Sequence, residues 1–248
     1  VRARIGLDQA HWCLSGAAPA SPEVLQYFAD LGLPVNEGWG MSEVSGIATI
    51  NPVSDIRIGT VGRAMPGVEV KLDHDGELLL RAPLVMKGYR NDPARTAEAI
   101  DPDGWLHTGD IAEIDGDGYI TIVDRKKEII INAAGKNMSP ANIELKLRAS
   151  SRLIAHAVCV GDRRPYNVAL IALDREMCAG QTTDELRSVI EAAVAATNAE
   201  LSRVEQVKRF AILETDWLPG GDELTPTMKL KRKPIQQKYA SEIEQLYG

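Results

Sequence analysis

The chain has 248 residues, 44% of them hydrophobic, enough for one large or two modest packed cores. Its 28 Lys and Arg against 35 Asp and Glu give a formal charge of −7, which argues against nucleic acid as a main partner. Cys13, Cys159 and Cys178 form no Cys-x-x-Cys pair, so neither a disulfide framework nor a structural zinc is expected, and a reducing compartment fits.

The first residues, Val1-Arg2-Ala3-Arg4-Ile5, have no initiator methionine and no apolar signal-peptide core, and read as a cut through a longer chain. Ser21-Pro22-Glu23 then opens a helix. Ser is a cap, Pro suits the first turn, and Glu meets the positive end of the peptide dipoles. Val24, Leu25, Phe28 and Leu31 follow at helical spacing, and Gly32 stops it. A glycine-dense loop is expected over 37–46. From 56 to about 123 the texture is short strands and turns, with Asp75-Gly76 and Asp115-Gly116-Asp117-Gly118 as hairpin signals.

Five consecutive charges, Asp124-Arg125-Lys126-Lys127-Glu128, break this pattern, and a domain boundary is expected there. Beyond it the pattern is α+β. Ser139-Pro140 starts a helix carrying Ile143 and Leu147, and strands are expected over 153–160 and 168–173. Thr182 and Glu185 make a capping box for a long helix with Leu186, Val189, Ile190, Ala193, Val194 and Leu201 on one face. A strand over 207–213 and a last helix with Ile235, Tyr239, Ile243 and Leu246 complete the chain. No apolar run approaches the roughly 18–20 residues that span a bilayer.

Short segments suggest chemistry. In Gly38-Trp39-Gly40-Met41-Ser42-Glu43, glycines let backbone approach a flat base, the ring can stack on it, and the carboxylate can help hold magnesium on phosphates. In Trp105-Leu106-His107-Thr108-Gly109-Asp110, an ionised Asp accepts both hydroxyls of a ribose, while His107 reads as structural. Arg125 can donate to ribose or phosphate oxygens, and Gly135 in Gly135-Lys136-Asn137 lets a narrow ligand pass close to the backbone. Lys229, after Thr225-Pro226-Thr227-Met228, can meet negative charge at a reacting phosphorus. Taken alone, each has a plain structural reading: a turn, a solvated linker, or, for Lys229-Leu230-Lys231-Arg232-Lys233, a solvated face.

In this order and at these separations, from Ser15-Gly16-Ala17-Ala18-Pro19 to Lys229, the segments resemble the acyl-adenylate-forming superfamily. That superfamily includes acyl- and aryl-CoA synthetases, luciferases and peptide-synthetase adenylation domains. Met86-Lys87-Gly88-Tyr89, Asp124-Arg125-Lys126-Lys127 and Thr227-Met228-Lys229-Leu230-Lys231-Arg232 are most similar to the C-terminal part of its bacterial long-chain fatty-acid–CoA ligases.

The resemblance implies an α/β and α+β fold. Residues 1–124 would be the C-terminal part of a large AMP-binding domain, a partial α/β sheet over 1–58 and a β-rich subdomain over 59–124. Residues 125–248 would be a small mobile α+β lid domain with its hinge near 125–128. It implies catalytic roles for Lys229 and Glu43, with Glu43 also on the metal. Gly16, Ala17, Ala18, Trp39, Gly40, Ser42, Asp110 and Arg125 would bind nucleotide, with Lys127 as the hinge. Gly135 and Lys136 would face coenzyme A. The family usually has tyrosine at Trp39, threonine at Ser42 and, in much of it, glycine at Met228. Its Ser/Thr/Gly-rich phosphate loop ending Pro-Lys-Gly is not in this sequence.

The implied reaction is ATP- and Mg2+-dependent activation of a long-chain fatty acid to acyl-adenylate and then acyl-CoA, with this stretch inactive alone. The implied partners are fatty acid, ATP and coenzyme A, in the cytoplasm or peripherally at a membrane that supplies the acid. A homodimer or a separate N-terminal half is compatible with the cut sheet. Two other readings fit the same residues: an acyl-AMP ligase feeding a carrier protein, for which no insertion near the hinge is seen, and a non-catalytic split-gene interaction module.

Overall fold

The computed structural model describes residues 1–133, 135–213 and 215–248. The chain divides into two compact units, Val1–Lys127 and Glu128–Gly248.

The first unit begins with a mixed sheet of β1 (Cys13–Ser15), β2 (Val35–Trp39), β3 (Thr49–Ile50) and β4 (Arg63–Ala64), in that spatial order. β1 and β2 are parallel, joined through α1 (Pro22–Asp30), and the later pairs are antiparallel. α1 is capped as expected: the Ser21 hydroxyl accepts from Val24 N–H, and Pro22 occupies the first turn. It ends where Gly32 takes φ +73°, and the Gly32 and Leu33 amides close onto Ala29 and Phe28 carbonyls. Leu25 is its buried residue, while Val24 is half exposed.

The second sheet is an antiparallel meander of β5 (Glu69–Leu72), β6 (Glu77–Arg81), β7 (Leu106–Ile114) and β8 (Ile120–Arg125), with α2 (Pro93–Ala99) between β6 and β7. Glu77, Leu78, Leu79 and Leu80 are all buried, so both faces of β6 are covered. Leu80 joins Val44, Ala48, Val68 and Leu106; Leu78 joins Ala112 and Ile120. A strand covered on both sides shows no polar alternation, as its run Leu78-Leu79-Leu80 reflects.

The unit boundary falls after Lys127 rather than after 124. β8 continues through Arg125, and Lys126 is tied back by its amide to the Gly109 carbonyl (2.8 Å) and by its ammonium to Asp75 (2.5 Å) and Glu77 (2.8 Å). Likewise the first sheet runs on to Ala64, past the expected limit at 58.

The second unit opens with a small hairpin, β9 (Ile130–Ile131) and β10 (Asn137–Met138). Then come α3 (Pro140–Ser150), β11 (Ile154–Val160), β12 (Asn167–Leu173), α4 (Thr183–Glu200) and β13 (Val207–Leu213), and last α5 (Arg232–Lys238) and α6 (Ala240–Tyr247). β12 is central, antiparallel to β11 and parallel to β13. Its residues from Asn167 to Ala172 are all buried because helices cover both faces. Ile143, Leu147, Ile190, Ala193 and Val194 pack on one side, and Trp217, Ile235, Tyr239 and Ile243 on the other. The Thr182–Glu185 capping box is complete. Among the described residues no helix is long and apolar enough to cross a membrane.

Candidate active site

β2 leads directly into the glycine-flanked segment, so the expected loop begins as a strand: Trp39 is the last residue of β2 and pairs with Thr49. The glycines here let chain approach chain. A Cβ on Gly16 would lie 2.9 Å from the Gly38 carbonyl oxygen, and one on Gly40 only 1.6 Å from the Gly46 oxygen. The chain folds back tightly after Gly40, with a short 3-10 turn Ser42–Val44 and the Ala48 amide closing on the Trp39 carbonyl at 2.9 Å. Ala17 sits beyond β1 in a left-handed conformation (φ +68°), with Gly16, Ala17 and Ala18 all exposed.

Three of the expected nucleotide residues, from well-separated segments, meet side chain to side chain. Trp39 Nε1 donates to Asp110 Oδ2 at 2.8 Å, and Arg125 Nε donates to Asp110 Oδ1 at 2.9 Å. β7 and β8 bring Asp110 and Arg125 opposite each other in register. Asp110 is 3% exposed, and both its oxygens already accept from protein, whereas half of the Arg125 side chain is in solvent. A ribose could therefore reach the carboxylate only as Arg125 gives way. Thr108 and Glu77 hold this strand in place. The Thr108 hydroxyl bridges the Leu78 carbonyl (2.6 Å) and the Asp110 amide (3.1 Å). Glu77 accepts from the Gly109 amide (2.8 Å) and from Lys126, with His107 Nδ1 at 3.3 Å. Burial alone would raise the Glu77 pKa; Lys126, the Gly109 N–H and His107 outweigh it and hold the carboxyl below its usual value. His107 Nδ1 thus faces the buried Glu77 carboxylate.

Glu43 is not part of that trio. Its Oε1 accepts from the Tyr89 hydroxyl at 2.8 Å, and its backbone carbonyl from the Met86 amide at 2.8 Å. Its other carboxylate oxygen makes no hydrogen bond among the described residues, and the side chain is half-buried. A lone hard oxygen is the kind of donor that magnesium takes, the rest of its shell coming from water and other oxygens, so the chemistry of the Glu43 carboxylate is compatible with that ion. Ser42, next to it, is exposed. Glu37, two residues before Trp39, went unnoticed in the sequence. It is buried, burial pushes its carboxyl up against the opposing effect of the Ala20 and Gly59 amides, and its Oε2 has no partner among the described residues.

The remaining expected residues lie in or beside the second unit. Lys127 ends the first unit and is exposed. Gly135 has φ +75°, a side chain there would meet nothing within 4 Å among the described residues, and the Lys136 amide donates to Asn132 Oδ1 at 3.0 Å. Lys229 is exposed on a tight loop: its amide donates to Thr225 Oγ1 (2.9 Å) and its carbonyl accepts from the Thr225 amide (2.8 Å). The basic run around it is not one solvated face. Lys231 Nζ donates to the Gly221 carbonyl (2.8 Å), and Arg232, its side chain 13% exposed, is held between Glu128 (2.9 Å) and Glu144 (2.5 and 2.8 Å).

Residues 3–90 match the AMP-binding enzyme family, and residues 127–248 match the AMP-binding enzyme C-terminal domain. The chain belongs to the AMP-binding enzyme family. Over its whole length it is 54% identical to a Mycobacterium tuberculosis protein named fatty-acid–CoA ligase FadD11, covering 46% of that protein. It is 41% identical to the long-chain-fatty-acid–CoA ligase FadD15 of Mycobacterium bovis, again over 100% of this chain and 44% of the relative. The chain thus spans less than half the length of the curated relatives it matches. Among solved structures, the adenylation domain of a carboxylate reductase from Mycobacterium chelonae aligns with TM-score 0.81 and 25% identity, over 94% of this chain and 38% of that one.

Met228 has φ +65°, a conformation that costs an L-residue about 1–2 kcal/mol and glycine little. The residue is 52% exposed, so little packing offsets that cost. Met228→Gly is expected to stabilise the chain by up to about 1 kcal/mol, less the larger unfolded-state entropy of glycine. Urea unfolding checks this; a clear loss of stability would mean the thioether packs more than its exposure suggests.

Proposed function

We propose that this chain carries the adenine- and ribose-binding part and the lysine-bearing C-terminal domain of a long-chain fatty-acid–CoA ligase. The observation that supports this most is the meeting of Trp39, Asp110 and Arg125, drawn from distant segments by two different sheets. In this reading Trp39 and the exposed Gly16-Ala17-Ala18 turn flank the adenine, and Gly40 and Ser42 shape the loop beside it. Asp110 accepts from the ribose hydroxyls once Arg125 moves aside to meet ribose or phosphate oxygen.

A fatty carboxylate oxygen attacks the α-phosphorus of ATP. The new bond is acyl–O–P, and the electron pair of the broken P–O bond leaves with pyrophosphate. Lys229, a solvated ammonium on a hydrogen-bonded loop, offsets the charge that grows on the phosphate oxygens. Magnesium, held by Glu43, supplies further charge neutralisation when bound. A coenzyme A thiolate then attacks the acyl carbon and AMP leaves. The Gly135 loop, which offers backbone without a Cβ, and Lys136 are the groups assigned to this second acceptor. Lys127, the last residue of the first unit, is the proposed pivot between the two half-reactions. Fatty-acid supply makes the cytoplasm, with peripheral membrane contact, the proposed location.

The test is pyrophosphate release with ATP, magnesium and palmitate. The 248-residue polypeptide alone should give none above background, since its sequence holds no phosphate loop. Fused behind the non-matching remainder of FadD15, it should turn over and form palmitoyl-CoA. A fusion that adenylates palmitate but never transfers it to coenzyme A would remove the CoA step; turnover by the 248 residues alone would show phosphate-binding groups elsewhere in them.

A further inference from the structure

The segment Met86-Lys87-Gly88-Tyr89 identifies a lineage but has no role in the reaction just described. In the fold it wraps Glu43. The Met86 amide holds the Glu43 carbonyl, and the Tyr89 hydroxyl holds Glu43 Oε1, each at 2.8 Å. Tyr89 is itself fixed on three sides. Its amide donates to Thr96 Oγ1 at 2.9 Å, and that hydroxyl donates to the Asp92 carbonyl at 2.8 Å. The Arg95 guanidinium lies 4.6 Å from the centre of its ring. Gly88 is what lets the chain reach this position: it has φ +146°, and a Cβ there would stand 2.7 Å from Thr96 Cγ2.

We infer that Tyr89 is the positioning residue of the metal carboxylate. By occupying Oε1 it fixes the Glu43 side chain and leaves the other oxygen as the one presented to the cation. This rests on the reading of Glu43 as a magnesium ligand. Partners that orient a ligating carboxylate are worth about 10–100-fold in metal affinity. The phenol acts through Glu43 and touches neither nucleotide nor metal itself.

The experiment is calorimetric titration of ATP into the 248-residue chain, in EDTA and across a series of MgCl2 concentrations, for three proteins. The unaltered chain should bind ATP more tightly with magnesium. Glu43→Gln should lose that magnesium-dependent gain. Tyr89→Phe, which keeps the ring under Arg95, should need at least about 10-fold more magnesium for the same gain, while its affinity in EDTA stays unchanged. If Glu43→Gln loses the gain but Tyr89→Phe titrates like the unaltered chain, the positioning role is overturned and the Glu43 reading stands. An equal loss of affinity by Tyr89→Phe with and without magnesium would show a packing role and likewise overturn it. If the unaltered chain gains nothing from magnesium, or Glu43→Gln keeps the gain, the Glu43 reading falls and takes this inference with it.

Discussion

Arg232→Ala is expected to destabilise the second unit by about 3–5 kcal/mol, the usual cost of removing one partner from a buried ion pair. The Arg232 side chain is 13% exposed and the Glu144 side chain 6%. The guanidinium makes a two-pronged contact with Glu144 and a third bond, from Nε, to Glu128. Glu144 Oε1 also accepts from the Cys159 amide at 2.8 Å, so one carboxylate ties α3, β11 and the start of α5 together. Burial by itself would pull the Arg232 pKa down; the hydrogen bonds and charges of Glu144 and Glu128 reverse that and push it up, so the guanidinium stays charged. Alanine leaves the Glu144 charge buried without its partner. Urea unfolding, followed by hydrogen exchange over residues 128–248, measures the effect. Pairing Arg232→Met with Glu144→Leu should recover part of the loss, because the cost lies in the orphaned charge rather than in the missing bond. No recovery would mean that the geometry of the network, and not its charge, holds these elements.

The largest effect on chemistry is expected at Lys229. In the FadD15 fusion, Lys229→Ala should slow adenylate formation by about 10²–10³-fold, the loss typical of one preorganised group facing developing charge. Attack of coenzyme A on preformed palmitoyl-adenylate should change little, because that step builds charge at the acyl carbonyl instead of the phosphate. Single-turnover rates of the two halves separate the outcomes. Equal losses in both would show that Lys229 does not divide its work in this way. Lys229 is exposed and its loop is held by backbone and Thr225, so alanine there should leave stability close to unchanged.

The local elements were legible because their signals are local. Ser21-Pro22, Ser139-Pro140 and the Thr182–Glu185 box cap helices through atoms within a few residues of one another. Asp75-Gly76 and Asp115-Gly116-Asp117-Gly118 mark turns through φ values open to glycine: Gly76 is at +84° and Gly118 at +83°. The texture change at the charge run lies within a few residues of the Lys127–Glu128 division. Less legible was the strand character of Trp39, because Gly38, Trp39 and Gly40 have a loop's composition. What makes Gly38 and Trp39 strand is pairing with Thr49–Ile50, residues whose register no local rule specifies.

By itself, then, the sequence determined which residue types stand at the motif positions, where helices start and stop, and that a charged segment separates two textures. Those are properties of short windows, set by backbone sterics and nearest-neighbour hydrogen bonds. Tertiary structure alone decided which charges are buried and whom they face. Nothing in Lys229-Leu230-Lys231-Arg232 says that the first residue stays in solvent while the last is enclosed by carboxylates some 88 and 104 residues away. Nothing in Met86-Lys87-Gly88-Tyr89 says that its phenol reaches Glu43, 46 residues earlier. Asp110 likewise carries no local mark of lying between Trp39 and Arg125. Coulombic and hydrogen-bond partners are chosen by proximity after the sheets close, and that proximity follows from strand register and two-sided burial over the whole unit.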